Sequence, residues 1–257
     1  MHIIDRYAYS NKIRGVDPAQ KAGLALLMLL LCLLLNEPAV GLLTVAWMWG
    51  LAVGWAGLAP RVFGRVLLAE LLFLGLATIG VALSVSLTAP VNPAAWGVAV
   101  GPLHFSSDPE SMQLAANLVL RALGAASTMN FLALTTPLVD LVDLMRRWRV
   151  PELLIDLATL MYRFIFVLLE SLERMLIAQE SRLGYRTYRR GMISAGLLGS
   201  QLFIDAYRRS QRLQTALEAR GYDGVLRVLP GQYRRDPALL RVGLTAIVTL
   251  GLGWIIF

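Results

Sequence analysis

Five stretches of this chain are apolar for about the thickness of a bilayer, and that feature decides most of what the chain can fold into. A spanning α-helix needs about 20 mostly apolar residues. Residues 22–35, 39–59, 66–87, 113–136 and 238–257 all approach that length. Each carries at most one charge: Glu70 in the third, Arg121 in the fourth and Arg241 in the fifth. The first is short, so it is expected either to use Lys21 as a snorkelling anchor or to span a thinned region of bilayer. With 57% of residues hydrophobic and 16% charged, the chain falls in the membrane class. The charged N-terminal residues Asp5, Arg6, Lys12 and Arg14 do not read as a secretory signal.

Loop charges give an orientation. The arm before residue 22 holds Arg6, Lys12, Arg14 and Lys21, and the 60–65 loop holds Arg61 and Arg65. The loop over 88–112 has no Lys or Arg, whereas 137–237 is rich in arginine. The positive-inside rule then puts the N-terminus, the 60–65 loop and 137–237 in the cytoplasm. The 88–112 loop and the C-terminus lie outside. The expected location is the bacterial or archaeal plasma membrane.

The fold class expected is an all-α integral membrane protein. About five transmembrane helices are joined to a cytoplasmic coupling domain of two long helices and a short one. The boundaries run 1–136 for the arm and first four spans, 137–237 for the coupling domain and 238–257 for the last span. Inside 137–237 a short helix is expected over 138–148, ended by Val150-Pro151. One long helix follows from 152 to about 186 and another from about 198 to 219, with Gly184, Gly191, Gly196 and Gly199 breaking the chain between them. No strand alternation stands out. Residues 153–169 weigh in as a possible sixth span. A dozen apolar residues give roughly −5 kcal/mol, and Asp156 and Arg163 cost about +3 kcal/mol each. A sixth span would export the following arginines, so a surface helix is expected instead. Asp156 and Arg163, seven apart on one helix face, form a candidate structural ion pair.

No phosphate-binding loop, metalloprotease motif or nucleophile elbow occurs. His2, His104 and the single Cys32 offer almost no metal ligands. No catalytic, cofactor or metal site is expected. Glu70 and Arg121 lie near helix ends, where snorkelling to the interface is expected. Asp140 and Asp143 are expected to cap a helix or pair with Arg146 and Arg147.

A more specific signal is a motif that occurs twice. Ala178-Gln-Glu-Ser-Arg-Leu-Gly-Tyr185 returns in altered form as Ala216-Leu-Glu-Ala-Arg-Gly-Tyr222. Each sets a small residue, an arginine and a glycine at the end of a long helix. Glycine can stop a helix in the left-handed conformation, and the guanidinium is then free to fork onto a carboxylate.

These residues resemble the T component of energy-coupling factor transporters, the EcfT family, and within it the cobalt-specific CbiQ type. The resemblance rests on Ile4-Asp-Arg-Tyr-Ala-Tyr with Asp17-Pro-Ala-Gln-Lys21, on Thr136-Pro-Leu-Val-Asp-Leu141 with Val150-Pro151 and Met161-Tyr-Arg163, and on the two Arg-Gly helix ends. It implies a non-catalytic subunit that couples two ABC-type ATPase subunits to a CbiM-like substrate-binding membrane subunit, with or without a small CbiN-like one. Lipid surrounds it and nucleic acid does not enter. The ATPase-binding residues implied are Ala219, Arg220 and Gly221, which match the family signature directly. Ser181, Arg182 and Gly184 match it with Ser for Ala and Leu183 inserted before the glycine. A vitamin importer of the same architecture is the alternative. A self-contained porter or an intramembrane lipid enzyme lacks the polar residues it would need.

Overall fold

The computed structural model describes residues 3–82, 84–86, 96–100, 103–107, 109–224, 226 and 231–256. The chain divides into two compact units, one of residues Leu138–Gly231 and one of His2–Pro137 with Gln232–Phe257.

The larger unit holds α1 (Ile3–Ser10), α2 (Pro18–Leu34), α3 (Pro38–Gly50) running into a π-helical turn at Leu51–Trp55, α4 (Pro60–Ala82), α5 (Pro109–Thr135) and α9 (Pro237–Ile256). The helices between Leu138 and Glu218 belong to the other unit. Apart from the short α1, every helix here begins at a proline. That residue lacks the N–H which the first helical turn leaves unpaired anyway. Among the described residues, four helical segments are long and apolar enough to cross a membrane: Pro38–Trp55, Pro60–Gly80, Ser111–Thr135 and Pro237–Trp254. Helix α2 is an apolar helix of 17 residues, at the short end of the spanning range. The five apolar stretches are therefore five helices, as the sequence implies. Among the described residues, three short strands add to the helical fold: β1 (Ser84–Ser86), β2 (Trp96–Val100) and β3 (Leu103–Ser107), antiparallel in the order β1-β3-β2. At three to five residues they are too short for alternation to show in the sequence.

Helix α5 is the centre of this unit, packing on α2, α3 and α4. At its crossing with α3 the two backbones touch. A Cβ on Gly41 would lie 2.6 Å from Leu120 O, and one on Gly124 would lie 2.6 Å from Cys32 Sγ and 3.1 Å from Gly41 O. Small residues permit such approach, and in lipid that packing is a main source of helix association.

Among the charges of this unit, Lys21 differs from the snorkelling expectation. Lys21 is fully buried, and its Nζ donates to Ile13 O (3.2 Å) and Thr135 O (3.1 Å). Asn11 Nδ2 also donates to Thr135 O, at 3.1 Å. Thr135 ends α5, so a cation and an amide satisfy carbonyl charge that the helix leaves there. The Glu70 carboxylate accepts two hydrogen bonds from Asn130 Nδ2, at 2.8 and 3.0 Å. The Arg121 guanidinium donates to Asn36 Oδ1 at 3.0 Å and to Leu33 O. Lys21 takes its partners inside the bundle because a desolvated charge needs them, whereas Glu70 and Arg121 are half-buried and Arg121 reaches back to the turn after α2, as snorkelling towards a helix end implies. His2 lies outside the described residues.

The smaller unit holds α6 (Leu138–Arg147), α7 (Glu152–Ser181) and α8 (Tyr188–Glu218). Helix α7 is not among the helices apolar enough to span. Helix α8 starts ten residues before its expected N-terminus, and Gly191, Gly196 and Gly199 lie inside it without breaking it. Thr187 caps the start, its Oγ1 accepting from Arg190 N at 3.4 Å. Each internal glycine costs about 1 kcal/mol relative to alanine, a sum that a helix of 31 residues still outweighs.

Candidate functional site

All three helices of the smaller unit close the same way. In α7, Gly184 N–H reaches back to Gln179 O (2.9 Å) and Leu183 N–H to Glu180 O (2.9 Å). In α8, Tyr222 N–H bonds Leu217 O (3.0 Å) and Gly221 N–H bonds Glu218 O (3.0 Å). In α6, Val150 N–H bonds Met145 O (3.2 Å) and Arg149 N–H bonds Arg146 O (3.1 Å). This pattern is the Schellman closure, which sets one residue in the left-handed region. Those residues are Arg149 (φ 57°), Leu183 (φ 57°) and Gly221 (φ 73°).

The hydrogen bonds correct the alignment of the two motif copies. Leu183 is not an insertion: it occupies the left-handed position that Gly221 holds in the second copy. Ser181-Arg182-Leu183 therefore superposes on Ala219-Arg220-Gly221, and Gly184 corresponds to Tyr222. The φ of Gly184 is not positive, so its lack of a side chain serves a different purpose. A Cβ there would meet Ser194 Oγ at 2.8 Å and Gln179 O at 2.9 Å, while its carbonyl accepts from Ser194 Oγ at 3.0 Å. Gly184 lets the chain turn tightly from α7 into α8.

Both arginines take the same backbone place, one residue before the left-handed one; in α6 that place is held by Trp148. Ser181, Arg182, Ala219, Arg220 and Gly221 are exposed. Ser181 Oγ bonds back to Ile177 O at 2.7 Å. Neither the Arg182 nor the Arg220 guanidinium has a hydrogen bond or ion pair among the described residues, so each is free for a carboxylate or phosphate.

Helices α7 and α8 run antiparallel. Gly184 lies by Ser194, Ser171 by Asp205, and Leu157 shares a cleft with Leu217 and Tyr222. The two arginines therefore sit at opposite ends of the pair, about 40 Å apart along its axis at 1.5 Å rise per residue. Where the helices meet, Asp205 Oδ2 accepts from Ser171 Oγ (2.9 Å) and from Arg209 Nε (3.1 Å). The Ser171 hydrogen bond, followed by that of Arg209, holds the Asp205 carboxyl below the usual carboxylate range. The i,i+4 spacing of Asp205 and Arg209 was visible in the sequence; the bond to Ser171 was not.

Asp156 and Arg163 do not pair. Asp156 is buried and accepts Leu226 N–H at 2.9 Å. Arg163 is exposed and lines another cleft with Arg209 and Arg212. Seven residues separate the two side chains by about 10 Å along the helix, and the nearer backbone donor takes the carboxylate. Asp143 does pair with Arg146 (3.5 Å) and also accepts Gly231 N–H (2.9 Å). Large apolar side chains stay uncovered on both long helices. Leu153, Leu157, Met161 and Ile165 form one row on α7, and Tyr188, Met192, Phe203 and Tyr207 are exposed on α8. Apolar surface on this scale marks contact with protein or membrane.

These helices define a multi-pass membrane protein with a separate helical pair whose arginine-bearing ends and apolar faces are exposed. The chain belongs to the family described as cobalt transport protein, CbiQ, which it matches over residues 9–230, and is an EcfT-type T component. An uncharacterized protein of Methanocaldococcus jannaschii is 32% identical over 89% of this chain and 83% of its own length. A cobalt transport protein CbiQ of Rhodobacter capsulatus is 40% identical over 58% of this chain and 61% of its own. A putative fused cobalt transport protein CbiMQ of Methanocorpusculum labreanum is 29% identical over 88% of this chain and 37% of its own. The chain thus spans less than two thirds of the last two relatives.

Proposed function

We propose that this chain is the non-catalytic coupling subunit of an energy-coupling factor importer for cobalt ions. Two ABC-type ATPase subunits each grip one end of the α7–α8 pair, at Ser181-Arg182 and Ala219-Arg220-Gly221, with Gly184 shaping the first end. ATP-driven movement of the ATPases passes through the rigid pair to a substrate-binding membrane subunit. The observation that carries this reading is the repeated helix end, in which one backbone geometry presents a free guanidinium twice. Two equivalent docking points match two equivalent partners. The CbiQ and CbiMQ names of the relatives support cobalt as cargo and a CbiM-like subunit as companion. The proposed orientation keeps the N-terminus and the α7–α8 pair in the cytoplasm and the C-terminus outside.

Charge reversal of both arginines, Arg182→Glu with Arg220→Glu, tests the docking. The chain should still insert and keep its helicity, while ATPase co-purification and cobalt uptake are lost. Survival of both would refute the assignment. In the same cells, a cysteine replacing Ser210 in a Cys32→Ala background should be shielded from impermeant reagents added outside. Labelling from outside would overturn the orientation.

A further inference from the structure

A groove of about 610 Å³ runs between α2 and α9 in the larger unit, within the usual size range of ligand sites. Its head is built by backbone pairing. Val16 and Arg234 form a parallel bridge, with Asp17 N–H on Arg234 O (2.9 Å) and Arg234 N–H on Gly15 O (2.8 Å). Asp236 N–H donates to Gln20 Oε1 at 2.9 Å. Arg235 is therefore held between two anchored residues at the mouth of the groove. It is exposed, and its guanidinium has no hydrogen bond or ion pair among the described residues. Asp17, the acid at the same head, is committed to capping α2 by accepting Ala19 N–H at 3.1 Å. Beyond the head the walls are apolar, set by Gly23, Leu27, Leu240, Gly243, Leu244 and Ile247.

We propose that this groove holds one membrane phospholipid, with its phosphate on Arg235 and an acyl chain along the leucine walls. The site is polar at one end only, which is the pattern of an amphiphile. Helix α9 is of spanning class, so the walls face hydrocarbon and the head faces the polar boundary, where a free guanidinium suits a phosphate oxygen. A partner's spanning helix fits less well. Helices associate in lipid through small residues and polar groups, and here the exposed rim is Leu27, Leu240 and Leu244. Gly243 is already occupied in packing α2 on α9, since a Cβ there would lie 2.8 Å from Leu24 Cδ1. Gly23 has no neighbour within 4 Å of a built Cβ, so a side chain placed there would enter the groove without disturbing the helices.

The test is native mass spectrometry of the full chain in detergent with added palmitoyl-oleoyl phosphatidylglycerol, and with the matching diacylglycerol for comparison. One phosphatidylglycerol should be retained, and the diacylglycerol, lacking the phosphate, should not. Arg235→Ala should weaken retention about tenfold, the loss of one charge-assisted hydrogen bond. Gly23→Leu should do the same by filling the groove with Arg235 intact. Arg241→Ala, an exposed arginine of α9 that does not line the groove, should leave retention unchanged. The proposal fails if Arg235→Ala and Gly23→Leu both bind like the parent. It also fails if a photo-crosslinker at Leu240, in native membranes, captures a polypeptide instead of lipid.

Discussion

The ends of α7 and α8 close on the same backbone hydrogen bonds but are built from different residues, because the chain does different things beyond them. After α7 it must double back at once into α8, and Gly184 sits against Ser194 of the returning helix. After α8 it need not double back but passes the start of α7, where Leu226 N–H bonds Asp156, and the corresponding residue is the exposed Tyr222. The left-handed position shows the reverse economy: glycine at 221, but leucine at 183. The end of α6, closed identically around Arg149, shows that the closure alone is ordinary helix termination. What sets α7 and α8 apart is the free arginine held in the same place on both. The glycines are therefore architectural, and the arginines are the groups left free, which is why the proposed docking is placed on them.

Substitutions at the two ends should break this comparison unequally. Gly184→Ala forces a Cβ within 3.0 Å of both Ser194 Oγ and Gln179 O, and overpacking of this kind costs about 1–3 kcal/mol. A thermal melt of the purified chain should show a clear loss, partly recovered when Ser194→Ala removes one of the two clashes. An unchanged melting temperature would mean the turn is not tight. A smaller and reciprocal effect is expected at the left-handed positions. Gly221→Ala should destabilise α8 by about 1 kcal/mol and Leu183→Gly should stabilise α7 by a similar amount, because a side chain in that conformation costs about 1–2 kcal/mol. If both substitutions shift the melt in the same direction, the two ends are not equivalent.

How much of this was legible in sequence follows from how far apart the partners lie. The five apolar helices and the two arginine ends are local features, contained within one helix or five residues, and both were readable. The register of the first end is hidden in the sequence by one residue, because glycine ordinarily marks the left-handed position and nothing in the sequence shows that Leu183 adopts it. The partners of the charges in the bundle are not legible for a different reason. Lys21 bonds Thr135, 114 residues away, Arg121 bonds Asn36, 85 away, and Glu70 bonds Asn130, 60 away. Each residue looks like an unpartnered charge near a helix end until the fold brings its partner in. Asp156 fails in the same way: a plausible partner on its own helix loses to a backbone N–H from Leu226, 70 residues on. The glycines of α8 suggested a break because propensity is a weak local cost, which the length of the helix overrides.

The smallest expected effect concerns the middle of the pair, between the two ends. Asp205 joins α8 to α7 through Ser171 and is further held by Arg209, so its carboxyl titrates below the ordinary value of 3.8. A carboxylate with a depressed folded pKa adds stability that is fully present above the unfolded pKa and is lost as pH falls through the folded one. Between neutral pH and about pH 5 the α7–α8 junction should therefore hold constant, since an ordinary Asp has a pKa near 3.9 and is ionised throughout that range. Below that it should loosen, with the loss completing only under the folded pKa. The group is partly exposed, with side-chain exposures of 21% for Asp205 and 31% for Arg209, so solvent screening keeps the effect small. Spin labels on α7 and α8 flanking Ser171 and Asp205 would report the separation directly. Other carboxylates also titrate in this window, so the informative quantity is the difference from Asp205→Asn, which keeps the shape and removes the ionisation. If parent and Asp205→Asn separate with the same acid profile, Asp205 does not link the helices. If the parent alone loosens below the ordinary carboxylate range, the pair that carries the two arginine ends is braced at its middle by a single ionised side chain.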